Sequence, residues 1–187
     1  MEGKIVYFDK PGTDNTEETL RIARERADEL GIDTIVVATT VGATAVRATE
    51  VFRGKKVIAV THVTGFSGPN MQELTDENRK KIEANGGVVL TAAHAFSGVN
   101  AAMRKKFNMF LLGDVIANTL RILGQGMKVV TECAAMATDA GLAPSGGDVI
   151  SIGGTGRGAD TAVVIGAVNS RDFFDMRVKE ILCKPHF

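Results

Sequence analysis

The stretch Ile35-Val36-Val37-Ala38-Thr39-Thr40-Val41-Gly42-Ala43-Thr44-Ala45 decides how the rest of the chain is read. Apolar residues run straight into a Thr/Gly turn, and the small residues after the turn open a helix. A junction of this kind aims backbone N–H groups, hydroxyls and the positive end of a helix at one point, which suits a phosphate. Gly42 lets the backbone turn tightly beside a ligand. Thr39, Thr40 and Thr44 supply hydroxyls, and Ala43 and Thr44 supply N–H donors. The plainer alternative is a threonine that only caps the helix.

Working outward, strand and helix patterns alternate. Lys4 to Phe8 reads as a buried first strand ended by Pro11-Gly12. A helix from about Asn15 to Leu30 follows, started by Thr13 or Asp14, with Leu20, Ala23, Ala27 and Leu30 at helical spacing and Gly31 as its stop. Further strands are predicted over 34–38, 56–61 and 88–90, and helices over 43–52, 75–85, 99–123 (broken near Gly113) and 128–140. The alternation argues for a three-layer α/β/α fold with a mostly parallel sheet, one domain over residues 1–187. The segments 148–152, 162–168 and 176–183 then read as three strands without helices between them, adding antiparallel pairing at the sheet edge.

Bulk composition bounds the function. With 22 basic and 22 acidic residues the charges balance, which argues against a general nucleic-acid or anionic-membrane surface. No apolar run reaches the ~18–20 residues that cross a bilayer. No basic stretch followed by an apolar core marks a secretory leader, so the expected compartment is the cytoplasm. Cys133 and Cys183 stand apart without a CxxC spacing, so neither a disulfide framework nor a zinc cluster is expected. The 21 glycines, set against 4 prolines, bunch after strand-like runs, as in α/β proteins that build ligand loops.

One such bunch is Gly153-Gly154-Thr155-Gly156-Arg157-Gly158-Ala159-Asp160-Thr161. Gly154, Thr155 and Gly156 permit close backbone approach, and Arg157 is a natural clamp for a phosphate or carboxylate. No helix follows, so a dinucleotide fingerprint does not fit; a flexible hairpin is the alternative. Two further segments, Thr61-His62-Val63-Thr64-Gly65-Phe66 and Thr91-Ala92-Ala93-His94-Ala95-Phe96, leave the carboxyl ends of predicted strands, where ligands of open α/β folds gather. His62 and His94 are each a proton donor, a ring contact or a loop hydrogen-bonder. Met103, Met109, Met127 and Met136 read as core filler, Arg104-Lys105-Lys106 as a solvated helix face, and Cys133 as a buried thiol. Asp114, among apolar residues, reads as the cap of a new helix after Gly113.

Together the two loops resemble a known family. The turn Thr40-x-Gly42-x-Thr44-Ala45 is similar to the effector-phosphate loop of the pyruvate kinase C-terminal domain. Gly154-Thr155-Gly156-Arg157-Gly158 resembles the Gly-rich effector loop of that domain, and Val57 to Thr61 matches its next strand. There the two loops hold a regulatory sugar bisphosphate. The likeness is greatest to small, largely archaeal stand-alone proteins with the pyruvate kinase C-terminal-domain-like fold. Residues 62–102 depart from the kinase pattern, and the kinase's catalytic barrel has no counterpart, so kinase activity is not carried over.

For the stand-alone group the resemblance implies bound FMN. Its phosphate would sit at Thr39–Thr44, with Arg157 and its loop over the ribityl chain. Its ring would lie against a wall drawn from Thr61, His62, Gly65, Phe66, His94 and Phe96. The expectation is a protein that binds a small phosphorylated ligand, FMN, with small-molecule redox activity. The alternative is a non-catalytic sensor or regulatory module for a sugar phosphate or nucleotide. A homo-oligomer is compatible with the fold, the final strand offering an edge.

Overall fold

The computed structural model describes residues 3–186. The apolar runs form β1 (Val6–Phe8), β2 (Thr34–Ala38), β3 (Lys56–Thr61), β4 (Val88–Thr91), β5 (Asp148–Gly153), β6 (Thr161–Gly166) and β7 (Arg177–Pro185). They make one sheet in the order β1-β7-β6-β5-β2-β3-β4. β6 alone runs against the rest: it is antiparallel to β5 and β7, whereas the other neighbouring pairs are parallel. The helices are α1 (Thr16–Leu30), α2 (Ala43–Val51), α3 (Asp76–Ala84), α4 (Asn100–Phe107), α5 (Leu112–Arg121) and α6 (Gln125–Asp139).

Side chains alternate across β2, and both faces are covered. Ile35 and Val37 pack with Leu20, Ala48 and Phe52 from α1 and the α2 region. Val36 packs with Ile58 and with Met127 and Val130 of α6. A smaller cluster of Ala45, Ala59, Leu74 and Ile82 seats α3 beside α2. So α1, α2 and α3 cover one face, α6 the other, and α5 packs on α6. This is the three-layer α/β/α architecture expected.

Three details correct the sequence reading. The first strand is short and lies at the sheet edge rather than in the core; it pairs with β7 alone, and Tyr7 is half exposed. The last three strands do not extend an edge: β5 joins β2 at the centre, and β7 lies between β6 and β1. β1 covers only Cys183–Pro185 of the final strand, so residues 177–182 of β7 still present an edge without a strand partner on that side. The direct loop between β5 and β6 forces an antiparallel return, and β7 then closes back to receive β1. Finally, the helical pattern over 99–123 breaks at Asn108, which is left-handed with φ 53°, and restarts at Leu112.

Candidate functional site

The sheet topology selects one place for a ligand. After β2 the chain builds β3 and β4 on one side, then returns to lay β5 on the other side of β2. The loops leaving β2 and β5 diverge at this switch point, where open α/β sheets bind ligands. Because β6 is reversed, the loop from β5 to β6 also lies at this carboxyl edge. A cavity of about 910 Å³ opens there, within the range of small-molecule sites.

The Thr/Gly turn forms one wall. Thr39 N–H donates to Val60 O at 2.9 Å, and the Val41 carbonyl accepts from Asn78 Nδ2 at 2.9 Å, which braces the turn from α3. No side chain caps α2, so its first-turn amides stay open. Thr39, Thr40, Ala43 and Thr44 line the cavity, and among the described residues no protein group satisfies the three hydroxyls. The capping alternative is thereby set aside. Gly42 acts differently from expectation: it faces α3, where an added Cβ would come within 2.5 Å of Asn78 Cβ and 2.6 Å of Leu74 Cδ1.

The Gly-rich loop is built, not slack. Asp160 is fully buried. Its Oδ2 accepts from Gly12 N–H at 3.0 Å and Thr155 N–H at 3.1 Å, and its Oδ1 accepts from Thr161 Oγ1 at 2.8 Å. Thr13 and Thr16 tie residues 157–159 to the start of α1. Gly154, Gly156 and Arg157 line the cavity; the Arg157 side chain is exposed and makes no ion pair among the described residues. Thr155 does not line it, and its hydroxyl is buried without a partner.

The β3 and β4 ends converge as the parallel register requires, Thr61 opposite Thr91 with their hydroxyls 2.7 Å apart. This brings His62, Phe66 and His94 into one ring cluster. The His62 and Phe66 centroids are 4.2 Å apart, and those of Phe66 and His94 are 5.3 Å apart at 34°. His62 Nδ1 is 2.6 Å from Glu73 Oε2, and His94 Nε2 accepts from Val63 N–H at 3.2 Å. Thr61, His62, Phe66, His94 and Phe96 all line the cavity. Gly65 does not; it supports the turn beneath Phe66, donating its N–H to Met71 O at 2.8 Å.

Residues 17–165 match the family described as pyruvate kinase, alpha/beta domain. The chain belongs to that family. Among solved structures this pyruvate kinase alpha/beta domain is similar to two pyruvate kinases of Cryptosporidium parvum. One is 17% identical with a TM-score of 0.37, over 77% of this chain and 21% of that one. The other is 16% identical with a TM-score of 0.37, over 76% and 21%. It is also similar to an O-ureido-L-serine synthase bound to O-ureido-L-serine, at 19% identity and a TM-score of 0.32, over 67% and 47%. The domain thus spans about a fifth of the length of the pyruvate kinases it matches.

The far wall of the domain's cavity comes from Lys128 and Glu132, which the sequence reading passed over, and from Arg104, Asp114, Cys133 and Met136, which it read as structural. Lys128 and Glu132, one turn apart on α6, form an ion pair with side chains 11% and 6% exposed. Glu132 Oε1 also accepts from Phe96 N–H at 3.0 Å, and the Lys128 ammonium sits 5.8 Å from the Phe96 ring centre. Arg104 pairs with the buried Asp114, so Arg104 is a cavity residue and not part of a solvated face. Asp114 does hold the start of α5, accepting from Leu111 N–H at 2.9 Å. Charged residues set within apolar helical runs were the available signal, because such groups persist in a buried helix when paired. Cys133 and Met136 touch the cavity, but burial pushes the Cys133 thiol up to about 12, so it is inert.

Proposed function

We propose that this domain binds FMN and places it in the cavity at the switch point. The observation that carries this reading is the pairing of an open polar end with an aromatic end in a single cavity. The uncapped α2 turn, with the hydroxyls of Thr39, Thr40 and Thr44 and with Arg157, none of them paired among the described residues, suits a phosphate dianion. His62, Phe66 and His94 form a cluster of rings tilted by 33–52° to one another, which offers ring faces and edges to an isoalloxazine. Bound FMN would supply electron transfer to a small molecule. The chain's own residues would orient it, exclude water and hold a proton at His94.

The test separates the phosphate from the ring. Titration of the ligand-free protein with FMN and with riboflavin should show FMN bound at least about 100-fold more tightly, the worth of several charge-assisted hydrogen bonds. Replacing Thr40 and Thr44 together with Val should shrink that gap while leaving riboflavin affinity nearly unchanged. Equal affinity for the two ligands would sink the assignment of the turn. If neither flavin binds but a sugar phosphate or nucleotide does, with a change in assembly and no turnover, the regulatory-module reading takes its place.

A further inference from the structure

Four arginines line the cavity, and they are not equivalent. Arg47 is held by Glu17 and Glu50, and Arg104 by Asp114. Arg157 stands on the Gly-rich loop. Arg121, at the end of α5, meets no carboxylate among the described residues. Instead its Nε donates to Gln125 Oε1 at 2.7 Å and its Nη1 to Asn118 Oδ1 at 2.8 Å.

Two neutral amides therefore fix the direction of a full charge without cancelling it. Guanidinium only donates, so both amides must turn their oxygens to Arg121 and leave their NH₂ groups free as donors. Asn118, Arg121, Gln125 and Lys128 all line the cavity, across the short α5–α6 turn. The groups that Asn118, Arg121 and Gln125 leave free are donors, while Lys128 and the carboxylates of Glu132 and Asp114 on the same wall are already paired. They stand on α5 and α6, in the layer opposite α2, and share one cavity with the Thr39–Thr44 turn. A preorganised fork with amide donors on either side matches a planar carboxylate.

We propose that this wall is a second anion subsite, taking a small molecule that carries a carboxylate. The subsite stands on the geometry around Arg121; naming its occupant as the substrate presented to a flavin rests on the FMN reading.

Equilibrium dialysis of the protein against succinate, with neutral succinamide as control, tests it with and without added FMN. Wild type should bind succinate saturably and ignore succinamide. Arg121→Gln, at an exposed position that spares the core, should weaken succinate at least about tenfold, one charge-assisted hydrogen bond's worth, and leave FMN affinity within about threefold. The Thr40→Val, Thr44→Val pair should do the reverse. Succinate binding that survives Arg121→Gln, or no saturable succinate binding to wild type, overturns the proposal. So does a loss of FMN affinity in Arg121→Gln as large as its loss of succinate affinity, since Arg121 would then serve the phosphate. Arg121-dependent succinate binding in a protein that takes no FMN would keep the subsite and remove the flavin reading.

Discussion

His94 accepts the backbone N–H of Val63 through Nε2, at 3.2 Å. An accepting Nε2 is an unprotonated one, so the imidazole is neutral and carries its proton on Nδ1. The surroundings agree. Burial is the largest influence and lowers the His94 pKa; Glu132 pulls it up, while His62 and Lys128 push it down again.

An NMR titration should therefore place His94 below the ordinary histidine value of about 6.5. Because the folded pKa lies under the unfolded one, the unfolded chain binds more protons between the two values. Stability is then fully present above about pH 6.5 and is lost as pH falls through the folded pKa. His94→Asn should flatten this part of the pH dependence of the urea midpoint. An unchanged pH slope in the variant would remove the assignment.

The Lys128–Glu132 pair predicts a non-additive result. Lys128→Met leaves Glu132 buried without its countercharge and should cost about 3–5 kcal/mol, a large share of a domain's stability. Adding Glu132→Leu removes the stranded charge and should recover most of that loss, less the bond to Phe96 N–H. Denaturant melts of the two single variants and the double variant measure the coupling. Additive losses would mean the pair does not act as a unit.

Gly42 makes a third prediction, about the turn itself. Its φ of 104° and the 2.5 Å approach of Asn78 leave no room for a methyl group. Gly42→Ala should destabilise by about 1–3 kcal/mol and displace the α2 amides from their present direction. Calorimetry gives the first effect and FMN titration the second. A change under about 0.5 kcal/mol would show that α3 yields easily.

The fold was legible where local signals and burial agree. Ile35-Val36-Val37 and Val57-Ile58-Ala59-Val60 are apolar without alternation because helices cover both faces, and that is the mark of parallel strands. Gly31 ended α1 as read, whereas the break expected near Gly113 falls at Asn108 and α6 starts at Gln125 rather than at Lys128. The position of β5 and β7 was not legible, because strand order depends on pairings between residues far apart in sequence, such as Ile35 with Ile150. At the site, the loop residues announced themselves through Thr and Gly spacing. Arg121 did not: its importance lies in what fails to pair with it, and that is visible only once α5 and α6 are folded together.

The most direct test of the central claim is the absorbance spectrum of the purified protein, with the mass of whatever heat releases from it. FMN binding at the switch point requires a flavin spectrum and a released molecule with the mass of FMN, or, if the protein is isolated empty, a flavin spectrum on adding FMN. A colourless protein that takes up no added FMN would contradict it.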